Sequence, residues 1–258
     1  MKGYRYETHL HVKGPSKCGH STGAELARYL KEEGYQGFVV TDHFFNGNSG
    51  VPRDLPWEER IELYCKGYEE AKQEGDRIGI DVFFGVEWQF HNDEYLLYGP
   101  DKEWLLSYPD MLSWTHKELF EKINEIGGCI VQAHPFRVRP YIKGIHLHPY
   151  HVHGVEVVNS ENRAFEDRLA YEYAKAYNLP MTSGSDRHWA WEGSRGDLGI
   201  ISETKWDSLE DYIRQIKTGS GYTIIETGDN RGLDGTEVPE VPAETLDYEG
   251  NPMAETLF

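Results

Sequence analysis

Cysteine, basic charge and long apolar runs are all scarce in this chain, and each shortage excludes something. The three cysteines, Cys18, Cys65 and Cys129, are too few and too scattered for a disulfide framework. Cys129 opens an apolar run and reads as core. Lys and Arg number 26 against 44 Asp and Glu, a formal net charge of −18. Binding along a phosphate backbone is driven by Lys and Arg, so long nucleic acid is a poor partner for such a chain. No apolar run approaches the roughly 18 residues of a membrane span, and no basic–apolar leader opens the sequence. The expectation is a cytoplasmic protein with no membrane partner. Internal repeats and interdomain linkers are also absent. What is present is a chain of 258 residues, 38% hydrophobic, enough for one large α/β barrel or two small domains.

Strand-like and helix-like segments alternate along it. Apolar runs at 36–41 (QGFVVT), 81–87 (DVFFGVE), 95–98 (YLLY), 129–133 (CIVQA), 154–158 (GVEVV), 180–183 and 198–201 fit strands buried on both faces, as in parallel sheets. Thr22-Gly-Ala-Glu25, Thr115-His-Lys-Glu118 and Ser208-Leu-Glu-Asp211 are capping-box signatures for three helices. Two more helices are expected at 58–74 and 164–177. Repeated βα units with short loops predict a parallel barrel or a doubly wound sheet over residues 1–227. Residues 228–258 are rich in Gly, Pro, Glu and Asp, and are expected to form an irregular acidic tail packed on that domain or trailing from it.

The polar residues of interest follow the strands. His9-Leu10-His11 puts two imidazoles on one face of extended chain, because side chains alternate there. Asp42-His43 follows the second run, Glu87 ends the third, His134 follows CIVQA, and Asp186-Arg187-His188 follows Met181–Ser185. In a parallel barrel these strand ends converge on one rim. Imidazoles and carboxylates gathered there suit divalent Zn, Mn or Fe. Two ions about 4 Å apart clamp both oxygens of an in-line displacement and lower the pKa of a bridging water to about 7. Arg137 and Arg187 are candidates to bind phosphate, since a guanidinium matches it bidentately. Asp42 reads as a group that orients a ligand imidazole, and Asn159 as a further rim residue. The cluster His146, His148, His151 and His153 sits around Pro149 and is expected on the surface.

In order and spacing these motifs resemble the PHP (polymerase and histidinol phosphatase) family. The resemblance runs from Tyr6 to about Ile201. It rests on His9-Leu-His11, Thr41-Asp42-His43, Gly85-Val86-Glu87, Ala133-His134-Pro135 and Gly184-Ser185-Asp186-Arg187-His188. It implies a distorted (β/α)7 TIM-like barrel with two or three divalent ions at the rim. His9, His11, Glu87 and Asp186 would hold one ion. Glu87 and His134 would hold a second, and His43 and His188 a third. The loop ligand of that third ion falls at Cys18, with His20 as the alternative. A histidine common on the strand after Glu87 is replaced here, and His91, Asp93 and Asp101 are the candidates to stand in for it. The implied activity is a metal-dependent phosphoesterase. It would hydrolyse a small phosphorylated metabolite or nucleotide with hydroxide formed at the ions, and Asp186 or His188 would protonate the leaving oxygen. Amidohydrolase chemistry, a short-oligonucleotide exonuclease and a metal-binding module without turnover are the alternatives.

Overall fold

The computed structural model describes residues 3–191, 198–226 and 241–254. Strands β1 (Tyr4–Glu7), β2 (Gly37–Val40) and β3 (Asp81–Phe90) run parallel. Strand β4 (Asp93–Tyr98) returns antiparallel to β3 and pairs antiparallel with β5 (Cys129–Ala133). Two more strands, β7 (Gly154–Asn159) and β8 (Met181–Gly184), continue parallel to β5. On the other edge, β9 (Ile200–Ser202) is antiparallel to β1, and β10 (Tyr222–Ile224) is antiparallel to β9. The nine strands form one curled sheet, ordered β10-β9-β1-β2-β3-β4-β5-β7-β8.

Helices α1 (Gly23–Glu32), α2 (Trp57–Ile78), α3 (Lys102–Ser107), α4 (His116–Glu125), α5 (Ala164–Ala176) and α6 (Leu209–Thr218) connect the strands. All three capping boxes read from the sequence are present, at Thr22/Glu25, Thr115/Glu118 and Ser208/Asp211. Each cap satisfies helix-end N–H groups, a contribution of about 0.5–2 kcal/mol. The amphipathic spacing then decides the buried face, which in α1 is Leu26, Ala27 and Leu30.

The result is the distorted α/β barrel expected, with its βα alternation broken between β3 and β5. A two-residue link cannot make a parallel crossover. His91 and Asn92 both adopt positive φ (49° and 74°), as a tight hairpin turn of the primed type demands. At the rim the sheet is stitched shut beyond its last strands. Asp186 N donates to His9 O (2.9 Å), and His11 N donates to Arg187 O (2.9 Å). The Glu7 carboxylate accepts from the N–H groups of both His9 (2.9 Å) and Ser185 (3.0 Å). These bonds join the chain after β1 to the chain after β8.

Residues 241–254 lie outside this sheet. Within them β11 (Ala243–Thr245) pairs in parallel with β6 (Ile145–Leu147). The rest of the expected tail, 228–240 and 255–258, falls outside the described residues. Among the described residues no helix is long and apolar enough to cross a membrane.

Candidate metal centre

The strand ends deliver their side chains to one buried point. The Glu87 carboxylate is at its middle. Glu87 Oε1 lies 3.2 Å from His9 Nε2 and 3.4 Å from His134 Nε2. Oε2 lies 3.4 Å from His11 Nε2 and 2.5 Å from His43 Nδ1. Asp186 Oδ1 lies 2.9 Å from His11 Nε2, 3.5 Å from His9 Nε2 and 3.8 Å from His188 Nε2. Both Glu87 oxygens, His43 Nδ1 and His134 Nε2 are buried without an aligned hydrogen bond. Buried polar groups left in that condition cost about 1–3 kcal/mol each, and here they face one another. Among the described residues, donor atoms close enough to share an ion fall into four overlapping groups: His9–His11–Asp186, His9–Glu87–His134, His11–Cys18–His43 and His43–Glu87–Glu94. This donor set fits divalent cations, the carboxylates serving as bridges between imidazoles.

The surroundings aim the ligands. His9 Nδ1 donates to Glu156 Oε1 (2.9 Å), which leaves Nε2 bare and pointed at the centre. His11 Nδ1 donates to Ser16 Oγ (3.2 Å), and Ser16 Oγ in turn donates to Asp42 Oδ1 (2.6 Å). Asp42 therefore orients a ligand imidazole through Ser16, and it also accepts from Val12 N (2.8 Å). Burial pushes the Asp42 carboxyl up to about 7. Outer partners of this kind fix the tautomer and the ring plane of a metal-ligating histidine. Two ligands carry backbone strain as well. His134 (φ 30°) and Asp186 (φ 52°) sit in the left-handed region, at a cost of about 1–3 kcal/mol each. Such strain persists only where the surroundings over-determine it.

Electrostatics agree with the geometry. Burial raises the Glu87 carboxyl, but the imidazoles of His43, His9 and His11 outweigh it and hold the group well below the usual carboxylate range. Asp186 is lowered in the same way, by His9 and Arg137 against burial. Burial also raises the Cys18 thiol, yet hydrogen bonds to His188 and His43 bring it below its ordinary value. The structure thus brings together His9, His11, Cys18, His43, Glu87, His134, Asp186 and His188. His20 stands apart, exposed and stacked on Trp189 at 4.8 Å.

Four findings revise the sequence reading. Glu94 fills the place left on the strand after Glu87, with Oε1 3.6 Å from His43 Nδ1 and Oε2 3.6 Å from His134 Nε2. Asp93 instead pairs with His146 (2.6 Å), and Asp101 caps α3. Glu156 supports His9 from below, and its place in Gly154-Val-Glu-Val-Val, a charge inside an apolar strand, was the available signal. Arg187 does not line the cleft. Its guanidinium instead lies 4.6 Å from the Tyr29 ring, beyond the left-handed turn of the chain at Asp186. His148 and His151 are buried rather than on the surface, because residues 241–254 cover their loop.

Above the ligands is a cleft of about 530 Å3, lined by Cys18, His43, Glu94, Asp186 and His188 together with Arg137, Arg139 and Tyr141. Arg137 is anchored there. Its Nη1 donates to Asp186 Oδ2 (2.6 Å), its Nη2 to Asn159 Oδ1 (2.5 Å) and its Nε to Asn162 Oδ1 (2.9 Å).

No family model matches the chain. An uncharacterized protein of Methanocaldococcus jannaschii is 40% identical over 83 residues, a stretch covering 29% of this chain and 35% of that protein. Among solved structures, the chain is similar to a two-domain protein of Bacteroides vulgatus containing a predicted PHP-like metal-dependent phosphoesterase. The TM-score is 0.62 at 14% identity, over 87% of this chain and 65% of the other. It is also similar to a lesion-specific endonuclease of Pyrococcus furiosus, with a TM-score of 0.55 at 18% identity, over 86% of this chain and 57% of that one. The chain therefore spans less than two thirds of each of these proteins. Its fold is the PHP-like fold.

Proposed function

We propose that this chain is a PHP-family hydrolase, a metal-dependent phosphoesterase acting on a small phosphorylated metabolite or nucleotide. The observation that carries this reading is Glu87, a buried carboxylate whose two oxygens face four histidine nitrogens within 3.4 Å and have no hydrogen bond of their own. A bridging carboxylate among imidazoles is what a multinuclear centre requires. His9, His11, Glu87 and Asp186 would hold one divalent ion, Glu87, Glu94 and His134 a second, and Cys18, His43 and His188 a third. Bound divalent ions supply Lewis acidity and make hydroxide available near neutral pH.

The chain's own residues do the rest. Asp186 has both oxygens engaged, Oδ1 toward His11 and Oδ2 on Arg137, so it holds the centre and leaves no free oxygen for the substrate. His188 lines the cleft with a partly exposed ring and would pass a proton to the leaving oxygen only where the third ion is absent, since a nitrogen that ligates an ion carries no proton. Arg137 presents a fixed cation beside the ligands, and Arg139 a second at the cleft wall. A guanidinium held on three sides orients a phosphoryl group without losing side-chain freedom on binding. A cleft of this size and an acidic chain favour a small substrate over long nucleic acid. Scarce, unpaired cysteines favour a cytoplasmic setting.

The test is turnover of p-nitrophenyl phosphate, bis-p-nitrophenyl phosphate, amides and lactones by protein loaded with Mn, Zn or Fe. The reading expects phosphate-ester hydrolysis, and loss of both turnover and bound metal in His9→Ala. Unchanged turnover in that variant, or hydrolysis confined to amides or lactones, contradicts it.

A further inference from the structure

Behind the β3–β4 hairpin, on the face away from Glu94, is a second cavity of about 610 Å3. Phe90, Trp114 and Leu246 give it apolar walls, and His116, His148 and His151 give it polar points. These three histidines come from two segments, His116 from the start of α4 and His148 and His151 from the loop between β6 and β7. All are more than nine-tenths buried. His116 Nδ1 and Nε2, His148 Nδ1 and His151 Nε2 have no hydrogen-bond partner. The metal centre makes no use of them.

The arrangement distinguishes among ligands. The ring centroids are 4.0, 5.7 and 6.3 Å apart, and the nitrogens do not gather at one point as they do around Glu87. That spacing suits several separate hydrogen bonds better than one ion. The rim holds no spare charge for an anion, because Lys117 Nζ donates to both carboxylate oxygens of Glu249 at 2.9 Å. Burial lowers His148 to about 3 and His116 well below its usual range, so the imidazoles are neutral, each with one donor and one acceptor. Aromatic walls with a few placed polar groups are the usual make-up of a small-molecule site.

We infer that this cavity binds an uncharged, planar nitrogen heterocycle, stacked between the aromatic walls and hydrogen-bonded at its edge by His116, His148 and His151. The site is separate from the metal centre and independent of what that centre hydrolyses.

Calorimetric titration of the metal-loaded protein with adenine tests this, with benzoate as the planar anion. Saturable adenine binding is expected, with benzoate weaker by about tenfold or more, the value of one or two unmatched buried polar contacts. His148→Phe and His116→Phe should each weaken adenine by a similar factor while the ion content of the centre is unchanged. If either variant fails to fold, Trp114→Ala removes the stacking wall instead and should weaken binding likewise. Absence of saturable adenine binding, benzoate binding as tight as adenine, or undiminished binding in the folded variants overturns the inference. So does an additional zinc ion per chain that disappears in His148→Phe.

Discussion

Replacing Glu156 by Gln changes almost no volume, yet the structure predicts a large effect. Glu156 is fully buried and accepts three hydrogen bonds. Oε1 takes His9 Nδ1 (2.9 Å), while Oε2 takes His134 N (3.2 Å) and Asn159 Nδ2 (2.8 Å). A Gln amide has one acceptor end and one donor end. Either orientation turns an N–H pair against a donor, His9 on one side or His134 and Asn159 on the other. One buried donor left unmatched costs about 1–3 kcal/mol. For a chain of this size that is a fall of roughly 2–12 °C in melting temperature. If the amide turns toward His9, that ring loses the acceptor that fixes its tautomer. Losing such an outer partner lowers metal affinity by about 10–100-fold, or about 1.4–2.7 kcal/mol. The assay is competition for Zn against a chromogenic chelator, with thermal unfolding followed in parallel. Wild-type ion affinity within twofold, together with an unchanged melting temperature, would refute the reasoning that Glu156 sets the His9 ring.

Arg137→Ala leaves Asp186 Oδ2 buried without its cation, a loss of about 3–5 kcal/mol. Thermal unfolding should show the larger destabilisation in chelator-treated protein, where no ion compensates. Glu94→Ala should lower the ion count or weaken one ion, whereas Asp93→Ala and Asp101→Ala should leave the count unchanged; elemental analysis separates these outcomes. Gly184→Ala places a Cβ against the His9 and Glu156 side chains, and should lower metal content together with stability, measured on the same sample.

Most of the centre was legible because its ligands follow apolar runs in recognisable short motifs. Glu94 was not, for a reason of register. The His91–Asn92 turn sets Gln89 opposite Glu94 and Phe90 opposite Asp93, and a one-residue slip would exchange the faces that Asp93 and Glu94 present. Turn geometry, not local composition, decides which acid meets the metal centre. Arg187 was not legible either, because the chain leaves the extended conformation at Asp186 (φ 52°) and strand alternation does not carry past it. His148 and His151 were not, because a segment nearly a hundred residues later buries them, and no local pattern carries that information. In the fold, apolar runs and capping boxes located strands and helices well. The antiparallel β4 and β9 were missed as such, because strands buried on both faces look the same in either direction.

The most direct test of the account is elemental analysis of metal-loaded wild-type protein and of Glu87→Ala. If Glu87 bridges a multinuclear centre, the wild type binds at least two divalent ions per chain, and the variant loses more than one of them together. One ion or none in the wild type, or an unchanged count in Glu87→Ala, would contradict the account.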